Sequence, residues 1–310
     1  MAPTFPVPDV LVLAAGGVVG EAWMSGVLAG IQDAGDVDFR RVESFVGTSA
    51  GAIIAARLAA GSPPRRPDDG EADAREPGEP AAPPPRSAAG AAGRLALRAA
   101  WGVSAPLATA ALAAGAPAGA LARSLVLARM PTGSGSLAGI SQVVARHGAR
   151  FDGRLRVVAV DRATGRRIVF GAPGAPPATV GEAVAASCSV PWVFEPIRIG
   201  GREYVDGGVW SLTNLDVAPA RRDTEVLCLS VTQSLPLALH SPMGALRAAG
   251  SLATAAESHV LQRRGAHVRT VGPDGASAAV IGGQLMDRGR AGGALAAGYR
   301  QGLALGGAAG

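Results

Sequence analysis

The chain has 310 residues, of which 48% are hydrophobic, so it can bury a sizeable core as one large α/β domain or two small ones. Its net charge of +5 comes from arginine alone, because the sequence has no lysine, and no arginine run is interleaved with aromatic residues. The composition therefore argues against a nucleic-acid partner, while a weak attraction to anionic lipid surfaces stays open.

The sequence carries no signal for secretion or for metal binding. Residues 1–6 lack a basic segment followed by an apolar core, and the most apolar stretch, 103–127, is interrupted by prolines and glycines. Cys188 and Cys228 lack metal-ligand spacing, and two buried thiols are favoured over a disulfide. We therefore expect a cytoplasmic protein, free or at a membrane surface, that needs no metal and no cofactor.

The first sixty residues alternate strand and helix. The pattern predicts a buried strand over 9–15, a glycine loop over 16–20, a helix over 21–35, a strand at 45–46 and a helix from 50 to about 60. A βαβα order of this kind predicts a parallel sheet with helices packed on it.

An abrupt change of composition follows. Residues 61–90 are rich in Pro, Arg, Asp and Glu and cannot bury enough apolar surface to offset their ordering entropy, so they are predicted to be a disordered insertion. Alanine- and leucine-rich helices are predicted within 91–130, over 91–101 and 107–130. They are interpreted as packing helices or, alternatively, as a mobile lid.

The second half returns to short strands and helices. Helices are predicted over 136–147, 180–187 and 243–264, and strands over 155–161, 167–170, 197–199, 203–205 and 226–231. We find no internal repeat.

A nucleophile elbow is predicted at Ser49. Gly47-Thr-Ser-Ala-Gly51 has the Gly-x-Ser-x-Gly pattern, lies between a strand and a helix, and has glycines where side chains would collide. Ser49 would stand at a helix N-terminus, with the N–H of Ala50 directed at an oxyanion. The alternative is a small-residue turn that only packs a helix onto the sheet.

A serine nucleophile needs a base, and Asp206 is the preferred candidate. It ends a predicted strand and is followed by Gly207 and Gly208, which would let the carboxylate approach a hydroxyl closely. The alternative is an ordinary Asp-Gly turn. The downstream histidines, His240, His259 and His267, lie in Ser/Pro-flanked or Arg-rich helical contexts and are interpreted as solvated or capping residues.

The glycine loop supplies further N–H donors. Gly16-Gly17-Val18-Val19-Gly20 follows the first strand and can direct successive N–H groups at an anion. A dinucleotide site is the alternative, but it requires an acidic residue at the end of the second strand, where this chain has the elbow instead.

Together these motifs resemble the patatin-like phospholipase family. The resemblance rests on the glycine loop, the elbow and the Asp-Gly-Gly turn in this order, with further matches at 26–30, 186–191, 204–209 and Asn214. It covers about residues 9–60 and 135–230, and more weakly 298–302. Many members have glycine where Ala15 stands and a basic residue where Val19 stands, which makes a preference for phospholipid less secure than ester hydrolysis.

The resemblance implies a single domain over 1–310, built as a three-layer α/β sandwich with a mainly parallel central sheet and the elbow after the second strand. It implies a lipid acyl hydrolase of the phospholipase A or lysophospholipase type, with no metal and a Ser–Asp dyad. The implied residues are Ser49 as nucleophile, Asp206 as base, Gly16, Gly17, Val18 and Ala50 as oxyanion donors, and Gly20, Gly47, Gly51, Gly207 and Gly208 as supports of the elbow and turns.

Two other functions stay open at this level: an inactive lipid-binding or scaffolding module, and an acyltransferase that uses the same site. The expected partner is a lipid ester, and the oligomeric state is left open.

Overall fold

The computed structural model describes residues 5–35, 37–69, 116–130, 132–133, 135–191, 193–233 and 242–307. Its strands are β1 (Val10–Leu13), β2 (Ser44–Thr48), β3 (Leu155–Asp161), β4 (Arg167–Phe170), β5 (Ile197–Ile199), β6 (Arg202–Asp206), β7 (Glu225–Leu229) and β8 (His267–Val271). Its helices are α1 (Gly17–Ala34), α2 (Ala50–Ala59), α3 (Ala116–Arg129), α4 (Ala138–Arg146), α5 (Val180–Ser187), α6 (Pro242–Arg263), α7 (Gly275–Ile281) and α8 (Ala291–Gly307).

The strands form one sheet in the order β5-β6-β3-β2-β1-β7-β8, with β4 also paired to β3. From β3 to β8 the neighbours are parallel, whereas β4 and β6 run antiparallel to β3 and β5 antiparallel to β6. The mainly parallel sheet expected from the βαβα pattern is confirmed.

Alternating side chains of the central strands give the sheet two buried faces. Leu11 and Leu13 of β1 belong to one apolar cluster, with side chains of α1, α2 and α5. Val10 and Val12 belong to the cluster on the other face, with Leu261 of α6. Because both faces are covered, the strands read as continuous apolar runs, and the α/β sandwich is confirmed.

Two strand ends meet on β3. Thr48, the last residue of β2, is paired with Val158, and Asp206, the last residue of β6, is paired with Ala159, the next residue of β3. Since β2 is parallel and β6 antiparallel to β3, their carboxyl ends arrive at the same point from opposite directions. Ser49 and Asp206, 157 residues apart in sequence, are thereby brought together.

Helices α1 and α8 cross with their backbones in contact at glycines. A Cβ at Gly26 would lie 2.2 Å from the carbonyl oxygen of Leu295, and one at Gly298 would lie 2.3 Å from that of Trp23. The Trp23 indole N–H also donates to Gln301 Oε1 at 3.0 Å. These contacts dock the C-terminal helix directly on the helix that carries the glycine loop.

Most predicted elements lie where they were expected, with α5 and the β5–β6 hairpin matching closely. The glycine loop is the main correction, because α1 begins at Gly17 and residues 17–20 form its first turn. The predicted strand 226–231 ends at Leu229, and β8 and α7 were not predicted. Three of the five residues of β8 are exposed, which explains why it lacks the apolar run of a buried strand.

The predicted insertion 61–90 falls mostly outside the described residues, and the predicted helix 91–101 lies wholly outside them. The first nine residues of the insertion, 61–69, are described and lie against α1. There Arg65 pairs with Glu21, and Arg66 pairs with Asp33 at 2.6 Å. Helix α3 covers the later part of the predicted helix 107–130. Residues 107–115 lie outside the described residues, so the helix there stays a prediction.

The α1–α8 contact leads to a stability prediction. Gly26→Ala places a methyl group against a backbone oxygen, so the helices must separate, and we expect a loss of ~1–3 kcal/mol of unfolding free energy. Gly292→Ala is the control, because Gly292 lies in α8 with nothing within 4 Å of an added Cβ. It should cost nothing and gain up to ~1 kcal/mol of helix propensity. Equal urea midpoints for the two variants would contradict the close crossing.

Candidate active site

Ser49 occupies a strained turn between β2 and α2. Its φ of 53° and ψ of −122° lie outside the regions that non-glycine residues favour. Such a conformation costs of order 1–3 kcal/mol and persists only where the surroundings impose it. A Cβ at Gly47 would lie 2.4 Å from Ala52 Cα, and one at Gly51 would lie 2.0 Å from Leu13 O, so both glycines are required for this turn.

The N-termini of α1 and α2 follow the carboxyl ends of two neighbouring strands. Leu13, the last residue of β1, pairs with Gly47 of β2, and α1 begins four residues after Leu13 while α2 begins two residues after Thr48. The first N–H groups of a helix have no acceptor within it. Among the described residues, no hydrogen bond uses the N–H of Gly17, Val18 or Ala50. These groups are available to an anion.

The glycine loop is closely packed from both sides. The N–H of Val19 donates to the carbonyl oxygen of Leu285 at 3.0 Å, so it is not available to a ligand. Gly17 has a φ of 60°, and an added Cβ would lie 2.6 Å from the same oxygen. Gly16 and Gly20 lie against Val231, where added Cβ atoms would be 3.0 and 3.1 Å from its Cγ1. The loop conformation is therefore fixed by its neighbours.

Asp206 is buried at the end of β6 and is held at two points. Its N–H donates to the carbonyl oxygen of Ser189 at 2.9 Å, and its Oδ1 accepts from the N–H of Gly208 at 2.7 Å. A Cβ at Gly207 would lie 2.4 Å from Val158 O, so only glycine lets the chain turn this close to β3. The carboxylate is thus held rigidly beside the elbow.

Burial dominates the electrostatics of this carboxyl group. Desolvation raises the pKa of Asp206 from its ordinary value of 3.8 to about 6, while the Ser49 hydroxyl and the N–H of Gly208 act in the opposite direction. Oδ2 is buried and has no hydrogen bond of standard geometry within the described part of the chain. Asp206 therefore keeps one oxygen available to accept a proton.

Asn214 ties the two strand ends together. Its side-chain amide Nδ2 donates to Thr48 Oγ1 at 3.1 Å and to the carbonyl oxygen of Gly207 at 3.3 Å. Thr48 precedes Ser49, and Gly207 follows Asp206. Asn214 is fully buried and has a φ of 49°, so its backbone is also held in an unusual conformation. One amide group thus links the elbow to the aspartate turn.

Glu257 of α6 buttresses the residues on either side of Asn214. Its Oε2 accepts from the Thr213 hydroxyl at 2.6 Å and from the N–H of Leu215 at 2.8 Å. Burial, and secondarily Asp216, raises the pKa of this carboxyl group. Sequence reasoning missed Glu257, because a single glutamate in an amphipathic helix gives no sign that it faces the core. Asn214 is indicated in the sequence only by the family resemblance.

The described histidines make no hydrogen bond with the elbow or with Asp206. His267 is the first residue of β8, so the prediction of a helical context for His267 is wrong. It pairs with Glu225 at the amino end of the parallel strands, which is the end opposite the elbow. His259 is exposed on α6, and His240 lies outside the described residues. No hydrogen bond of Ser49 or Asp206 involves a histidine of the described chain.

Two further findings concern cysteines and metals. Cys188 and Cys228 are both buried and form no disulfide, as expected. Within the part of the chain that the structure describes, no three His, Cys, Asp or Glu residues are grouped so as to hold a metal ion.

A family model described as patatin-like phospholipase matches residues 11–219, which include the glycine loop, the elbow and Asp206. The chain belongs to the patatin-like phospholipase family. This is a family of lipid hydrolases, and the matched region covers the whole candidate site. No match was found among curated proteins.

Among solved structures, the chain is similar to VipD from Legionella pneumophila. The sequence identity is 15%, the match covers 97% of this chain and 67% of that one, and the TM-score is 0.41. In this chain, none of the described helices is both long enough and apolar enough to cross a bilayer.

The raised pKa of Asp206 makes a prediction about stability that does not depend on activity. The folded state binds the proton more tightly than the unfolded state. The free energy of unfolding therefore falls as the pH rises from about 4 to 6, and it stays at the lower value above pH 6. At about 1.4 kcal/mol per pKa unit, the cost above pH 6 is ~3 kcal/mol. Asp206→Asn, which removes the charge at constant size, should therefore raise the Tm at pH 7.5.

The difference in Tm between Asp206→Asn and wild type should shrink toward zero at pH 4, where the wild-type carboxyl group is itself protonated. Calorimetry of both proteins across this range checks the prediction. A variant that is destabilised equally at both pH values would contradict a buried, desolvated carboxylate.

Proposed function

We propose that this protein is a serine acyl hydrolase that cleaves carboxylic esters of lipids, with Ser49 as nucleophile and Asp206 as general base. The observation that carries the proposal is the meeting of β2 and β6 on β3, which places a buried carboxyl group beside a strained serine. Family membership supplies the lipid ester as substrate class.

In the first half of the reaction, Ser49 Oγ attacks the acyl carbonyl carbon and its proton passes to Asp206. The carbonyl oxygen becomes an oxyanion that accepts from the free N–H groups of Gly17, Val18 and Ala50 and from Gly16 in the adjoining turn. Each donor of this kind typically contributes ~3–4 kcal/mol to transition-state stabilisation. Collapse of the intermediate releases the alcohol, which takes the proton from Asp206 and leaves an acyl-enzyme.

In the second half, water attacks the acyl-enzyme and gives its proton to Asp206. The same N–H groups hold the second oxyanion, and the fatty acid leaves as the proton returns to Ser49. The serine and the aspartate are restored, so the cycle balances without another reactant.

The buried position of Asp206 suits this role. An aspartate with an ordinary pKa is a weak base at neutral pH, whereas a pKa of about 6 brings the group closer to the pH at which it would work. It is still mostly unprotonated at pH 7. Desolvation therefore lets a carboxylate do what a histidine does in many serine hydrolases.

Two differences from many family members, at Ala15 just before the glycine loop and at Val19 within it, bear on the substrate. Ala15 donates its N–H to the carbonyl oxygen of Leu212, so replacing glycine there removes no oxyanion donor. Val19 is fully buried in the core, so no positive side chain projects from that position. This arrangement supports ester hydrolysis more strongly than selection of an anionic phospholipid head group.

Replacing the nucleophile is the direct test. Ser49→Ala should abolish hydrolysis of a medium-chain p-nitrophenyl ester and covalent labelling by a fluorophosphonate, because no other serine or threonine of the described residues has a positive φ. Ser277→Ala, which removes a buried hydroxyl that bonds Gln301, is the control and should keep both activities. Labelling of the Ser49→Ala protein would remove Ser49 from the mechanism. Wild-type protein without either activity would favour a lipid-binding module, and acyl transfer to an added alcohol would favour a transferase.

The base assignment predicts a pH profile. Asp206 must be unprotonated to accept a proton, so kcat/KM, which reports ionisations of the free enzyme, should rise with pH, reach half its plateau near pH 6 and be flat by pH 7.5. Asp206→Asn should lower kcat by roughly 10²–10⁴-fold and abolish this ionisation. Stopped-rate assays from pH 4.5 to 8.5 on both proteins measure the effect. Near-normal turnover of the variant would reassign the base.

A further inference from the structure

A three-residue segment at the end of α5 contacts the backbone of both proposed catalytic residues. Ser187 Oγ accepts from the N–H of Ser49 at 2.9 Å and donates to the carbonyl oxygen of Val158 at 2.6 Å. Two residues later, the carbonyl oxygen of Ser189 accepts from the N–H of Asp206 at 2.9 Å. The segment thus bridges the nucleophile, the base and β3.

The Ser187 hydroxyl lies where it can control the strained turn. Its donor bond reaches Val158, the residue of β3 that pairs with Thr48. Its acceptor bond holds the peptide N–H of Ser49, whose φ is 53°. Ser187 is fully buried, so no water replaces either bond when the hydroxyl is removed. The Ser49 peptide would then be free to rotate toward a less strained conformation, carrying Oγ away from Asp206.

The other end of the segment is anchored independently. The Ser189 hydroxyl donates to the carbonyl oxygen of Glu195 at 2.6 Å, which holds the chain that follows α5. The N–H of Asp206 therefore bonds a backbone acceptor, whereas the N–H of Ser49 bonds a single side-chain hydroxyl. Of the two contacts, the one at Ser187 can be removed by substitution.

We propose that Ser187 is a positioning residue that holds Ser49 in its strained conformation and so sets the separation of the Ser49 hydroxyl from Asp206. The proposal rests on the proposed function, because it assigns a role within the same Ser–Asp site. Ser187 itself touches neither the substrate nor the reacting atoms.

The test compares Ser187→Ala with Ser277→Ala, since Ser277 is also buried and also donates one side-chain hydrogen bond, to Gln301. Ser187→Ala should lower kcat by about tenfold to a hundredfold with KM within about twofold, and should slow fluorophosphonate inactivation equally. Ser277→Ala should keep the wild-type kcat even if its Tm falls by as much as the Tm of Ser187→Ala. A kcat within twofold of wild type for Ser187→Ala, or an equal kcat loss in Ser277→Ala, would overturn the proposal.

A second pair of variants covers the case in which Ser187→Ala does not fold. Ser187→Thr keeps the hydroxyl, and Ser187→Cys keeps nearly the same size with a much weaker hydrogen-bonding group. The threonine variant should retain several-fold more kcat than the cysteine variant. Equal kcat in the two variants would overturn the proposal.

Backbone amide exchange separates this proposal from the proposed function. The N–H of Ser49, followed by NMR, should exchange faster in Ser187→Cys than in wild type, while the N–H of Asp206 should be unchanged. This readout does not require turnover. Wild-type protein that neither hydrolyses esters nor reacts with the fluorophosphonate would refute the function, whereas unchanged Ser49 exchange would refute the role of Ser187.

Discussion

Strand β3 is the element on which the candidate site depends. It pairs with β2 through Val158 and with β6 through Ala159, so two strands that approach from opposite directions end at adjacent residues. Because hydrogen-bonded strands pair residue by residue, this register holds the two strand ends at neighbouring positions. The elbow and the aspartate turn are thereby brought into contact by the sheet itself, and the short loops only complete the geometry.

Around this meeting point, several groups hold the backbone rather than the reacting atoms. Asn214 joins Thr48 to Gly207, and Ser187 joins Ser49 to β3. Glu257 supports the turn on which Asn214 lies. Groups that are distant in sequence therefore support the strained Ser49, Ser187 by bonding its N–H and Asn214 by bonding the preceding Thr48. This is the over-determination that a conformation costing of order 1–3 kcal/mol needs in order to persist.

The site also shows why its glycines are needed. At Gly47, Gly51 and Gly207, an added Cβ would lie 2.0–2.4 Å from backbone atoms of neighbouring elements. Burial has a second consequence at Asp206, where desolvation destabilises the charged form and raises its pKa. The same close packing thus excludes side chains from the turn and raises the pKa of the carboxyl group that we propose as the base, at a cost in stability.

The sequence by itself determined the family, the βαβα start of the sheet and the strand-to-helix elbow, because these follow from local apolar patterns and glycine positions. It also indicated Ser49 and Asp206, although their roles remain proposals. It did not reveal β8, whose exposed residues lack a buried pattern, nor the start of α1 within the glycine loop.

Only the tertiary structure showed that β2 and β6 end on the same strand, that Leu285 occupies the N–H of Val19, and that Ser187 bonds the N–H of Ser49. These are contacts between residues far apart in the chain. They depend on strand order and helix packing, which no local pattern specifies.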